Sequence, residues 1–369
     1  MRHENWQAVV DEIARLGRDL GRIQLMEVCG THTVSLFRSG IRSVLPSNIE
    51  LVSGPGCPVC VTSQGYIDVA CQLAAKDEVI ICTYGDMMRV PGRGTSLETQ
   101  RAKGAQVHVV YSARDAVRTA QRNPDRTVVF LAVGFETTAP ATAAIVLEAD
   151  KLGLGNLLVL TAHKRVVPAM EALLKDGDIP IDGFLCPGHV SVVTGFHAYE
   201  VIVGKYGKPC VVAGFEPSQM LDGIRGLLRQ IRGRQTKLEN VYPVAVSATG
   251  NDVAQRMLRQ VFVVATTAWR ALGGLPGSGL ELAPEFERFD ALKRFSLTIG
   301  PDYDPPGCRC GEVIQGKLKP SDCALFAEGC TPMAPIGPCM VSSEGTCAAW
   351  YKYYRPSPQA APQMTLTRE

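Results

Sequence analysis

From residue 22 to about residue 265, short runs rich in β-branched residues alternate with longer stretches whose apolar residues recur at helical spacing. No other feature restricts the fold as much. Alternation of this kind is the signature of βαβ units, in which parallel strands are joined by crossover helices. The strand candidates are RIQLMEV, NIELVS, EVIICTY, QVHVVYS, TVVFLAVG, NLLVLTA, DGFLC, KPCVVAG and VYPVAVS. Between them lie helix candidates such as QGYIDVACQLAAK, TAPATAAIVLEADKLG, VVPAMEALLKDG and EPSQMLDGIRGLLRQI. Nine strands suggest two small sheets rather than one large one, and 369 residues can bury more than one core. The expected class is α/β, with one small parallel-sheet domain in residues 1–135, a second in 136–270, and a C-terminal segment in 271–369.

A weak internal similarity supports two domains of related topology. PGCPVCVTSQGYIDVA (55–70) resembles PGHVSVVTGFHAYEVI (187–202). Read as a duplication, it puts Cys57 and His189 on equivalent turns of two facing domains. After residue 271 the pattern changes to Pro- and Gly-rich chain, which breaks regular elements and needs something other than a core to hold it.

Charge and hydropathy exclude some classes. A net charge of +2 with no Lys/Arg run leaves no footprint for nucleic acid. No apolar run reaches the roughly 18 residues that cross a bilayer. The start, MRHENWQAVVDEIARLGRDLG, has helical spacing rather than the apolar core of a signal peptide. The chain therefore reads as cytoplasmic, with no membrane partner. In a reducing compartment its 13 cysteines point to metal binding or redox chemistry more than to structural disulfides. Neither a P-loop nor a G-x-G-x-x-G follows any strand candidate, which argues against a nucleotide-binding module.

Four segments fall just after strands and before helices, where α/β proteins build sites: EVCGTHT (27–33), GPGCPVC (54–60), VGFETTAP (133–140) and LCPGHVS (185–191). If the domains face each other, Cys29, His32, Cys57, Cys60, Glu136 and His189 can reach one cleft. A helix N-terminus favours the thiolate of Cys57 and Cys60, which serves equally as redox nucleophile and soft metal ligand. The residues alone leave both roles open. A zinc ribbon is disfavoured, since no second Cys-x-x-Cys exists. Three cysteines with nearby histidines suit an incompletely filled iron site. Glu136 also reads as a helix-start carboxylate, and His163, beside Lys164 and Arg165, as a surface or anion-facing residue. His3, His108 and His197 read as incidental, and Cys71, Cys82 and Cys210 as core.

The tail carries C-x-C-x12-C-x6-C-x8-C-x7-C within 40 residues. Six cysteines at this density indicate metal without naming it. Four thiolates suffice for a [4Fe–4S] cluster and leave two over, while a four-cysteine zinc site is the alternative.

Taken together, EVCGTHT, GPGCPVC, VGFETTAP, LCPGHVS and the CRCG to GTC tail resemble the HypD family of [NiFe]-hydrogenase maturation proteins, in the right order through nearly the whole chain. That resemblance implies two α/β domains and a C-terminal iron–sulfur lid. It implies a scaffold on which, with a small HypC-type partner, an iron carrying two cyanides and one carbon monoxide is assembled for the hydrogenase large subunit. By position, Cys29, Cys57 and Cys60 become the iron-site or redox thiols, with His32 and His189 in the same cleft. Cys308, Cys310, Cys323 and Cys330 would hold a [4Fe–4S] cluster. Cys339 and Cys347 would form a redox pair beside it, with Glu344 a possible functional carboxylate. Cyanide would arrive from a HypE-type donor in a cleft lined by Gly56, Cys57 and His189. Such a protein is a scaffold with redox activity rather than a conventional turnover enzyme. The competing class is a cluster-dependent reductase of a protein disulfide.

Overall fold

The computed structural model describes residues 6–354. Two parallel sheets form, as the alternation predicts. The first contains β1 (Ile23–Glu27), β2 (Ile49–Ser53), β7 (Gly183–Pro187), β8 (Cys210–Ala213) and β9 (Leu238–Asn240), in the order β2-β1-β7-β8-β9. The second contains β3 (Val79–Thr83), β4 (Gln106–Val109), β5 (Thr127–Gly134) and β6 (Leu157–His163), in the order β4-β3-β5-β6. Every pairing within these two sheets is parallel. Numbered along the chain within each sheet, both orders begin 2-1-3-4, so the topologies are related. β1, β3, β7 and β8 are buried along their whole length, because helices cover both faces of each sheet.

Sheet membership does not follow the expected boundaries. β1 pairs with β7, and β5 with β6, so a division at residue 135 cuts through both sheets. The first sheet is discontinuous in sequence and the second is inserted between its second and third strands. Cys57 and His189 therefore follow β2 and β7 of one sheet rather than equivalent turns of two domains.

VYPVAVS is not a strand: β9 ends at Asn240, and Pro243, which lacks an N–H for a ladder, lies in the loop beyond it. The chain from 262 is not irregular either. β10 (Phe262–Trp269) and β11 (Gly273–Leu282) form an antiparallel ribbon whose register shifts between Ala265 and Thr267. Such a ribbon tolerates Pro276 and its glycines because it joins neither parallel sheet. Beyond it, residues 284–354 hold only short helical turns and the helix Thr346–Tyr353, as the Pro and Gly content predicts. The first turns of this segment, Pro284–Phe289 and Ala291–Arg294, pack on β6 of the second sheet, and its later part packs on the first sheet's helices. Phe37 of the helix Gly30–Arg38 meets Trp350 edge to face at 5.5 Å, and Pro338–Val341 packs on Pro58–Val61.

Candidate functional site

In the first sheet the order in which strands are added reverses between β1 and β7, which is where open α/β sheets place ligands, beyond the carboxyl ends of the strands. Cys29 and His189 lie just past those two ends. The Cys57 turn follows the neighbouring β2 and is locked to Cys29 through backbone: Gly30 N–H donates to Gly56 O at 3.1 Å. A Cβ on Gly56 would lie 2.2 Å from Cys29 N, so only glycine permits this approach.

Glu27 organises the loop from beneath. It is 1% exposed and accepts from Cys29 N–H at 3.1 Å and Thr33 Oγ1 at 2.5 Å, while burial pushes its carboxyl up to about 7. Cys29 caps the helix Gly30–Arg38 in extended conformation. The helix N–H groups of Thr31 and His32 favour its thiolate, but burial outweighs them and pushes the thiol up to about 12. Desolvation therefore defeats the helix terminus at this cysteine. Cys57 and Cys60 are joined as a disulfide, with Cys57 Sγ accepting from Cys60 N–H at 3.2 Å.

His32 is fully buried, and burial lowers it to about 4. Its Nε2 lies 2.9 Å from Gly214 O, which can only accept, so the neutral ring carries its proton on Nε2. Nδ1 is left buried and without a partner among the described residues. Phe215 stands between the two histidines, 4.6 Å from the His32 ring and stacked at 3.8 Å on that of His189. His189 is exposed; partial burial lowers its pKa and the Glu344 carboxylate opposes that shift. Glu344 accepts from Thr31 Oγ1 at 2.6 Å and its charge also raises Cys29. Cys29, Cys57, Cys60, His32, His189 and Glu344 are thus gathered on one face.

Glu136 is not among them. It is 6% exposed, accepts from Val166 N–H at 3.0 Å, and lines a different pocket with Arg165, Gln255 and Arg259. It is a helix-start carboxylate, though of the helix Val166–Asp176 rather than of the one following it in sequence. Burial pushes it up to about 7. His163 is not at the surface: it is 1% exposed, beneath Phe262 of the ribbon and 2.9 Å from Thr142 Oγ1. The ribbon also buries Lys164, whose Nζ donates to Thr267 Oγ1 and Ala268 O. His108 and His197 are exposed, and His3 lies outside the described residues. Cys71, Cys82 and Cys210 are buried in the core as expected.

All six tail cysteines line one pocket with Val313, Leu325 and Phe326. The thiols of Cys308, Cys310, Cys339 and Cys347 are neighbours in turn, and Cys330 Sγ accepts from Ile336 N–H at 3.3 Å. A Cβ on Gly337 would lie 2.5 Å from Cys308 Sγ, so glycine leaves the sulfurs their room. Six soft donors around an apolar pocket suit an iron–sulfur group chemically. Among the described residues no three His, Cys, Asp or Glu side chains are already arranged to hold a single metal ion.

Two groups that sequence reading missed stand out. Glu27 had a signal, being the one acid inside the strand candidate RIQLMEV. Arg270, fully buried against the Cys60 turn, had none, because the ribbon that carries it was not anticipated.

The family model HypD, described as the hydrogenase formation hypA family, matches residues 4–354. The hydrogenase maturation factor HypD of Cupriavidus necator is 45% identical over 357 residues, covering 95% of this chain and 94% of that protein. The protein of the same name in Escherichia coli is 45% identical over 339 residues, covering 92% and 91%. A putative hydrogenase expression/formation protein of Methanocaldococcus jannaschii is 41% identical over 346 residues, covering 94% and 96%.

Proposed function

The chain belongs to the HypD family of hydrogenase maturation factors, and from that premise we propose that it is the scaffold on which the Fe(CN)2CO moiety of a [NiFe]-hydrogenase is assembled. The observation that carries this reading is the junction of Cys29 with the Cys57–Cys60 turn through Gly56, at the sheet's switch point and beside His189 and Glu344. Low-spin iron bearing cyanide and carbon monoxide needs soft donors, and Cys29, Cys57 and Cys60 provide them once the disulfide is reduced. The iron is cargo, delivered with a HypC-type partner and destined for the hydrogenase large subunit. Cyanide from a HypE-type donor is received in the cleft lined by Gly56, Cys57 and His189.

Reduction of the Cys57–Cys60 disulfide takes two electrons and breaks the S–S bond. Cys339, on the short helix packed against Pro58–Val61, and Cys347, in contact with it, are the delivering thiols. Cys308, Cys310, Cys323 and Cys330 would hold a [4Fe–4S] cluster, a group that supplies one-electron chemistry when bound. Undiminished hydrogenase maturation by Cys339→Ser would sink this route.

The disulfide beside a cysteine-rich pocket also favours a second reading, a reductase of protein disulfides. Infrared spectroscopy of protein purified without oxygen from cells expressing its partners separates the two. Iron-bound cyanide and carbon monoxide bands, lost in Cys29→Ser and Cys57→Ser, are the expected result. A blank spectrum together with catalytic disulfide reduction in the absence of added iron would establish the reductase instead.

A further inference from the structure

Phe215 lies on the loop between β8 and the helix Pro217–Arg232, and its backbone is fixed from both sides. The carbonyl of Gly214 before it accepts from His32 Nε2–H at 2.9 Å. The N–H of Glu216 after it donates to Gln219 Oε1 at 3.2 Å, one half of the capping box that opens the helix. The ring is held as well, packed between that of His32 at 4.6 Å and that of His189 at 3.8 Å. On Gly188, the residue before His189, a Cβ would come within 3.3 Å of Phe215 Cε2 and 2.7 Å of Ala213 O. Glycine at that position therefore lets the His189 turn close on the ring.

His189 is held by little else. It is exposed, neither ring nitrogen has a hydrogen-bond partner among the described residues, and Phe215 is its one ring contact there. Glu344 acts on it by charge alone. An exposed histidine without a hydrogen bond samples several rotamers, and ordering it costs side-chain entropy. A stacked aromatic partner offsets that cost. Stacking uses the face of the imidazole, so both nitrogens at its edge stay free. His32 backs the stack rigidly, since it is fully buried and its Nε2 proton is committed to Gly214 O.

We propose that Phe215 is a positioning residue of the cyanide-receiving cleft: backed by His32, it fixes the ring plane of His189 and leaves both nitrogens of that ring free for the incoming group. This inference rests on the scaffold reading above. Phe215 touches neither iron nor cyanide and acts only through His189.

The test labels the histidines of the full-length protein isotopically and reads their ring C–H resonances at about pH 8, where exposed imidazoles are neutral. His189→Gln assigns the His189 signal. Protons above an aromatic face are shielded, so the wild-type signal should lie upfield of that of His108, which is exposed and has no ring contact among the described residues. Phe215→Leu keeps an apolar side chain but removes the ring. In it the His189 signal should move downfield to the His108 position, and hydrogenase maturation should fall about fivefold. Phe215→Tyr keeps the ring and should retain both the upfield signal and the maturation. An unmoved His189 signal in Phe215→Leu, undiminished maturation by that variant, or equal loss of maturation in both variants would overturn the proposal. If Phe215→Leu does not fold, the wild-type protein decides: nuclear Overhauser contacts between the ring protons of His189 and Phe215 are expected, and their absence overturns the proposal. Missing infrared bands in the wild-type protein would defeat the scaffold reading while leaving the histidine signals unaffected, so the two failures are distinguishable.

Discussion

Thr31 Oγ1 donates a 2.6 Å hydrogen bond to Glu344 across 313 positions of sequence. The bond joins the helix that starts at Gly30 to the C-terminal segment, at the point where a Cβ on Gly30 would meet the Glu344 backbone oxygen at 2.7 Å. A hydrogen bond to a carboxylate is stronger than one between neutral groups, and its loss leaves Glu344 facing Cys29 and His189 without its anchor. Thr31→Ala should lower unfolding stability by on the order of 1 kcal/mol and reduce hydrogenase maturation. Urea denaturation and a maturation assay in cells lacking the native protein check both. An unchanged midpoint would show that the segment is not anchored here.

Gly56→Ala should do more damage than any neighbouring small substitution. The added Cβ would meet Cys29 backbone, which cannot swing aside as a flexible side chain can. A destabilisation of about 3 kcal/mol is expected, with loss of maturation. Gly21→Ala, with nothing within 4 Å of its Cβ position, is the control and should stay within about 0.5 kcal/mol.

The contribution of Glu136 to the stability of the protein should fall as pH rises from about 4.5 toward 7. Burial raises its folded-state value to about 7 from an ordinary 4.5, so across that window the folded state binds a proton that the unfolded chain has released. The contribution is fully present below pH 4.5 and lost as pH passes 7. Glu136→Gln, which still accepts from Val166 N–H, removes on the order of 3 kcal/mol of this pH dependence. Chemical denaturation of both proteins at pH 5 and pH 8 reads the difference directly, since other titrating groups cancel. An identical pH dependence would show that Glu136 is ionised when folded.

Stripping metal should change which cysteines react. Cys308, Cys323 and Cys347 are the partly exposed thiols of the tail, whereas Cys71, Cys82, Cys186 and Cys210 are buried. Protein purified without oxygen should be labelled by maleimide mainly at Cys347, and chelator treatment should add Cys308 and Cys323. Equal labelling of Cys308 before and after chelation would remove it from the ligand set.

The alternation of strand and helix, the placement of EVCGTHT, GPGCPVC and LCPGHVS at strand ends, and the crowding of the tail cysteines were all legible in the sequence. Hydrophobic period and turn chemistry are local properties, and they survive folding unchanged. VYPVAVS misled because its alternation outweighed a central proline. The ribbon of β10 and β11 escaped because its glycines and Pro276 read as punctuation. His163 escaped with it, since what buries that residue is Phe262 of the ribbon.

The sequence by itself determined which residues stand at the ends of strands and that soft sulfur chemistry belongs there, because both depend on neighbours a few positions away. Only the tertiary structure decided which strands share a sheet. Pairing β1 with β7 brought Cys29, Cys57 and His189 onto one edge, and the ribbon's return laid Arg270 against Cys60. Such pairings depend on burial and register across more than a hundred residues, which no local propensity records.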